Sequence, residues 1–142
     1  MQVKESIHIN AAPEAVFPFV SDPENSAKWD QSLQSIEILT EGPFGIGTRV
    51  REVRKVPMGT NESVEEIVEF EENRVMGWAT VEGKMLTTGS IRLEPRGGTT
   101  EVTFDMSGGL PFAMKLFSPI MTIMVSKEIR RNLETLKGLV ED

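Results

Sequence analysis

The side chains able to do chemistry are few in kind: one histidine, His8, no cysteine and no tyrosine, set against 22 acidic and 15 basic residues. A Ser-His-Asp or Cys-His arrangement therefore has almost nothing to be built from. Alternation through QVKESIHI puts Val3, Ile7 and Ile9 on one side and Lys4, Ser6 and His8 on the other, so His8 is expected in solvent. The absence of cysteine also excludes a disulfide framework and a thiolate zinc site. A carboxylate metal site would need a cluster. The richest run, NESVEEIVEFEE, spaces Glu62, Glu65, Glu66, Glu69, Glu71 and Glu72 as a strand and its turn, which reads as a charged sheet edge resisting edge-to-edge pairing. Gly45-Ile46-Gly47 opens a strand and is followed by neither Lys-Ser nor Lys-Thr, so a phosphate loop is unsupported. No metal and no cofactor are expected.

What remains are polar groups that share strand faces with apolar ones. Glu5 lies with Val3 and Ile7; Glu52 and Arg54 lie with Val50 and Val56; Glu66 lies with Val64, Val68 and Phe70. On a concave face these groups would be partly buried, which is costly without partners. They would then pair with one another, hold the polar end of a ligand, or act as acid and base with shifted pKa values. Arg54 and Glu66 are the pair the pattern singles out, and the candidates for catalysis if there is any. A bulge that moves the parity, or strand ends open to water, would leave them solvated instead.

The elements that must position these groups follow from turns and periodicity. After the first strand, Pro13 suits a first helical position, and Val16, Phe17 and Val20 form an apolar stripe. Pro18 should shorten or kink that helix, and Asp22-Pro23-Glu24 starts a second, to about Lys28. Six short strands come next: SIEILT, TRVREVRKV, NESVEEIVEF, RVMGWATV, MLTTGSIRLE and TTEVTFDM. The connectors EEN, EGK and PRGG suit antiparallel hairpins. Leu110 to Asp142 reads as one helix about 45 Å long, enough to cross the concave face of a curved seven-stranded sheet and leave space beneath it. The fold class is thus α+β, in one domain spanning 1–142. Hydrophobic content of 39% and charge of 26% are those of a soluble globular chain. With no apolar signal core and no run of roughly 18 apolar residues, a cytoplasmic location is expected. A net charge of −7 opposes nucleic acid and stable insertion into anionic membrane.

The long helix is unusual in its first half. Ile129, Leu133, Leu136 and Val140 fall on one side, with Lys127, Arg130, Arg131, Glu134 and Lys137 opposite. Upstream, MKLFSPIMTIMVS is apolar nearly all round. Met114, Phe117, Ser118, Met121 and Thr122 would face the sheet, and Leu116, Ile120, Ile123 and Met124 would face away. Either Pro119 rephases the helix or something covers that outer side. The segment 112–126 is therefore a candidate partner surface, with Leu116, Ile120, Ile123 and Met124 as a homodimer contact.

Ile7 to Phe17 (IHINAAPEAVF), then SDPEN with Trp29 following, the turn at Gly45 and Gly47, Leu93-Glu94-Pro95, Gly98-Thr99 and a closing basic helix form an ordered set. This set resembles the polyketide cyclase/dehydrase-like branch of the START/Bet v 1-like (SRPBCC) superfamily, over essentially the whole chain. The resemblance implies a helix-grip fold with an apolar cavity between sheet and C-terminal helix. Its expected wall is Val16, Val20, Trp29, Val50, Glu66, Val68, Trp78, Phe104, Met114, Phe117, Met121 and Thr122. Binding or transport of a hydrophobic or aromatic small molecule, lipid or polyketide-like, is the expected function. The alternatives are a cyclase/dehydrase-type enzyme using cavity carboxylates, and an interaction module acting through the apolar helix.

Overall fold

Alternation and turn chemistry set out the elements in the expected order: β1 (Gln2–Ile9), α1 (Pro13–Ser21), α2 (Pro23–Trp29), β2 (Leu33–Ile38), β3 (Arg49–Val56), β4 (Gly59–Glu71), β5 (Val75–Glu82), β6 (Leu86–Arg96), β7 (Thr99–Gly109) and α3 (Ser118–Glu141). The computed structural model describes residues 1–56, 59–109 and 118–141. The described strands form one antiparallel sheet in the order β1-β7-β6-β5-β4-β3-β2. The first two strands of the chain are thus its two edges, and β2 to β7 form a meander between them.

The two short helices fill the corner between β1 and β2. Asp22 caps α2, its side chain accepting from Glu24 N–H at 2.9 Å. The α1 helix runs through Pro18 and ends three residues later. Pro18 is exposed, so the Glu14 carbonyl that loses its helical donor lies on the solvent side of the helix. The core joins Val16, Phe17, Val20 and Trp29 of these helices to Ile9, Leu93 and Val102 of the sheet and to Ile129, Leu133 and Leu136 of α3. The amphipathic stripe expected in the second half of α3 is therefore its buried face. Residues 110–117, the expected start of this helix, lie outside the described residues, and the question of a kink at Pro119 turns on them.

The glutamate-rich β4 is not a sheet edge, as its charge suggested. It lies between β3 and β5, and arginines on the same outer face permit this. Glu62 pairs with Arg51, Glu66 with Arg49 and Glu69 with Arg92, while Glu71 meets Arg74 across the following turn. In that turn Asn73 takes φ 64°, a left-handed conformation asparagine tolerates.

Among the described residues, α3 packs on β1, α1 and α2 and stands off from β3, β4 and β5. That asymmetry leaves a hollow.

Candidate functional site

The hollow is a cavity of about 230 Å³ between the inner face of the sheet and α3. Register decides which residues line it. On β3, alternation points Val50, Glu52, Arg54 and Val56 inward, and their partners on β4 follow: Glu65 opposite Val50, Ser63 opposite Glu52, Asn61 opposite Arg54. Ile67 continues this face. Val68 is then an unpaired bulge residue, because Ile67 pairs with Trp78 and Glu69 with Gly77. One extra residue reverses the parity of everything upstream of it relative to Phe70. Phe70 points inward, held edge-on by Phe17 at 5.6 Å and by Phe44 at 5.9 Å. Extending its parity back through the bulge wrongly turns Glu66 inward and Glu65 outward.

The expected Arg54–Glu66 pair is therefore not formed. Glu66 bonds Arg49 Nε at 2.9 Å on the outer face, and Val68 is 48% exposed. Arg54 instead binds Asp30 through Nη1, Glu52 through Nε at 3.1 Å, and Ser32 Oγ through Nη1 at 3.0 Å. Its side chain keeps 32% exposure. Burial works to lower its pKa, but the charges and hydrogen bonds of Glu52 and Asp30 outweigh this and hold it above the ordinary arginine value. Asp30 anchors the helices to this end of the cavity. Its Oδ1 accepts from Ser32 N at 3.2 Å, Ser32 Oγ at 2.9 Å and Asn132 Nδ2 at 3.2 Å, the last from α3.

Glu65 is the carboxylate the cavity keeps. It is 8% exposed, accepting from Ser63 Oγ at 2.9 Å and Thr80 Oγ1 at 2.8 Å. Burial raises its pKa above the usual carboxylate range. The two hydroxyl bonds oppose that shift, the Glu52 charge adds to it and the Arg54 charge subtracts. Glu5, also inward by alternation, has the reverse outcome. Arg130 Nη2 donates to it at 2.9 Å and Ser126 Oγ at 3.0 Å. The Arg130 bond outweighs desolvation, and the carboxyl lies below its ordinary range.

The other walls are apolar. Trp78 and Phe104 have ring centroids 5.5 Å apart, and Met76, Met85, Ile91, Met106, Val125 and Ile129 surround them. Gly89 makes this possible. It faces Trp78 across β5 and β6, and a Cβ there would lie 2.5 Å from Trp78 Cζ2. With no side chain at 89, the indole lies down on the sheet. Trp29 donates from Nε1 to Phe19 O at 2.9 Å, while Trp78 Nε1 has no bond among the described residues.

Of the expected wall, Val20, Trp29, Val50, Trp78 and Phe104 line this cavity. Val16 is fully buried in the core beside it. Met121 and Thr122 are half-buried on α3 without lining it, and Met114 and Phe117 lie outside the described residues. On the outer side of α3, Ile120, Ile123 and Met124 are exposed; Leu116 is outside the described residues. Among the described residues the methionines of the wall are Met1, Met76, Met85 and Met106, while Met121 and Met124 of the methionine-rich helical segment do not line it. Sequence reasoning also missed Asp30, Glu65, Ser63 and Thr80. Asp30 and Ser63 are short polar residues whose contacts depend on the α2–β2 turn and on the β3–β4 register. Among the described residues, no cluster of three or more acidic or histidine side chains is arranged to hold a metal ion. No described helix is long and apolar enough to cross a membrane.

Comparison with known proteins agrees with this architecture. Residues 1–141 match the family described as polyketide cyclase/dehydrase and lipid transport. A protein of Thermus thermophilus superposes with a TM-score of 0.85 at 22% identity, over 99% of this chain and 97% of that one. A START superfamily protein from Mycobacterium smegmatis gives 0.84 at 17% identity, over 99% and 97%. The Zhui aromatase/cyclase from a Streptomyces species gives 0.74 at 20% identity, over 99% and 93%. No curated protein matches the chain by sequence. The chain belongs to the polyketide cyclase/dehydrase and lipid transport family, with the START/Bet v 1-like helix-grip fold.

Proposed function

Proceeding from membership of this family, we propose that the protein binds or carries a compact hydrophobic or ring-containing small molecule in the cavity under α3, without turning it over. The observation that supports this reading best is the wall itself, in which Trp78, Phe104 and the methionines 76, 85 and 106 share one space with a polar end at Arg54 and Glu65. Aromatic faces stack on rings, and unbranched methionines repack around different shapes. At about 230 Å³ the cavity falls just below the roughly 300–1,000 Å³ common for small-molecule sites, which favours a ring system or short chain over a two-tailed lipid. Native mass spectrometry of freshly purified protein should show a co-purified ring compound or single-chain lipid, and a lipid and aromatic library should raise the melting temperature. Repeated absence of any bound mass, together with no thermal shift from the library, would overturn the reading.

A second reading is an enzyme of cyclase/dehydrase type, favoured by one observation: Glu65 is buried in the cavity with its pKa raised, which suits a group that holds and delivers a proton. Under that reading Glu65→Gln abolishes turnover of a bound substrate while leaving its binding intact. Undiminished turnover by the variant would remove it.

A further inference from the structure

If the cavity holds a small molecule, as proposed above, its polar end constrains which one. We propose that the ligand is a basic amine on a compact ring system, its ammonium seated between Glu52 and Glu65 and its rings against Trp78 and Phe104.

The argument is a count of donors and acceptors at the polar end. Three carboxylates, Asp30, Glu52 and Glu65, line that end of the cavity beside one guanidinium, which pairs with Asp30 and Glu52. Arg54 donates Nε to Glu52 Oε2 and Nη1 to Asp30 and Ser32, and its Nη2 lies 3.1 Å from the same Glu52 oxygen as an ion-pair contact, so Nη2 alone is without a hydrogen bond among the described residues. The bidentate edge that would greet a ligand carboxylate or phosphate is already taken. Asp30 already accepts four donors, three from Ser32 and Asn132 on Oδ1 and Arg54 Nη1 on Oδ2. Glu52 and Glu65 are different. Glu52 bonds Arg54 through Oε2 alone, and its Oε1 receives nothing among the described residues. Glu65 holds only the hydroxyls of Ser63 and Thr80, one on each oxygen, so each oxygen keeps an unused acceptor site.

Among the described residues the other cations of the rim are Lys55, which lines the cavity but is exposed to water, and the Met1 amino group, which donates to Gly108 O at 2.9 Å. From α3 comes a further carboxylate, Glu128. An anionic ligand would thus bring like charge into a desolvated acidic end, where repulsion is screened far less than in water. An ammonium brings three donors to a place with unused acceptors and excess negative charge.

The test compares three probes of one shape by isothermal titration calorimetry at pH 7 with the full chain: 2-(2-naphthyl)ethylamine, the neutral 2-(2-naphthyl)ethanol and the anionic 3-(2-naphthyl)propionate. The amine should bind roughly tenfold to hundredfold tighter than the alcohol, as charged hydrogen bonds of this kind are worth, and the carboxylate weaker than both. Glu65→Gln and, separately, Glu52→Gln should each remove most of the amine's advantage over the alcohol. Circular dichroism melts of both variants check that they fold. Carbon-13 NMR of labelled glutamate should show the Glu65 pKa falling when the amine is added. Binding of the alcohol or carboxylate as tight as the amine would overturn the proposal and leave the cavity reading standing. Failure of all three probes to bind would count against both.

Discussion

Glu5 and Glu65 sit on the same inner face of one sheet, Glu5 turned inward by the alternation of β1 and Glu65 by the register of β4 on β3, yet their surroundings differ completely. Near β1, α3 is packed onto the sheet, so Glu5 meets the helix directly and finds Arg130 and Ser126. Near β4, α3 stands off, and Glu65 finds only the hydroxyls of neighbouring sheet residues. The contrast teaches that the fold alone does not set which way the pKa of an inward carboxylate moves; the distance to the gripping helix does. A close helix supplies a cation, whereas a distant one leaves a desolvated acid facing a hollow.

The comparison can be broken most forcefully at the packed side. Leu133→Ala should cost roughly 3–5 kcal/mol in urea unfolding, since Leu133 is fully buried and the seam cannot collapse around a void. Trp78→Ala removes a larger side chain yet should cost less than the roughly 3–5 kcal/mol seen for core aromatics, because part of its ring borders a space already empty. A larger loss for Trp78 than for Leu133 would mean that the hollow side is as tightly packed as the seam. Arg54→Met comes next. It strands Asp30 and Glu52 together, and the expected loss lies at or below the low end of the roughly 3–5 kcal/mol for breaking a buried pair, because Arg54 is partly open to water.

Gly89→Ala should cost about 1–3 kcal/mol, the usual range for overpacking, as the new methyl drives the Trp78 indole off the sheet and into the cavity. In a Trp29→Phe background the emission of Trp78 would shift, and an unshifted spectrum would mean the sheet, not the ring, had moved.

The smallest effects sharpen the contrast most, because they differ in sign. Glu5 has a lowered pKa, so its contribution to stability is present above the ordinary glutamate value of about 4.3 and lost as pH falls through its folded value. Glu65 has a raised pKa, so ionising it costs stability; that cost is absent below about pH 4.3 and complete above its folded value. At pH 7, Glu5→Gln should lower the melting temperature and Glu65→Gln should raise it. Both should converge on the parent chain in acid. Melts from pH 3 to pH 8 read this directly, and parallel curves for the two variants would erase the distinction.

How far the sequence carries depends on what lies between a residue and its turn. The faces of β1 could be read from Val3, Ile7 and Ile9 because the strand is short and unbroken, and His8 is exposed as that reading requires. The buried stripe of α3 was equally plain, since Ile129, Leu133 and Leu136 follow one helical period. On β4 the same logic began from Phe70 and ran through Val68, where a single unpaired residue exchanges Glu66 for Glu65. No local signal marks that bulge, for Val68 is apolar and β-branched like an ordinary strand residue. Asp30 was missed for another reason: it closes α2, and its partners Arg54 and Asn132 come from elements remote in the chain. The cavity was foreseeable from the order of elements, but its acidic end depended on cross-strand register.

The strand order also constrains how the molecule comes to be made. Because β1 pairs with β7, Val3 cannot reach Met106 until nearly the whole chain exists, and closing a loop of that size carries an entropic cost of about 4 kcal/mol before any pairing repays it. The hairpins of the β2 to β7 meander need no such wait. A nascent chain leaving the ribosome would therefore hold a half-formed meander with its apolar face bare until α3, which follows β7, docks on β1.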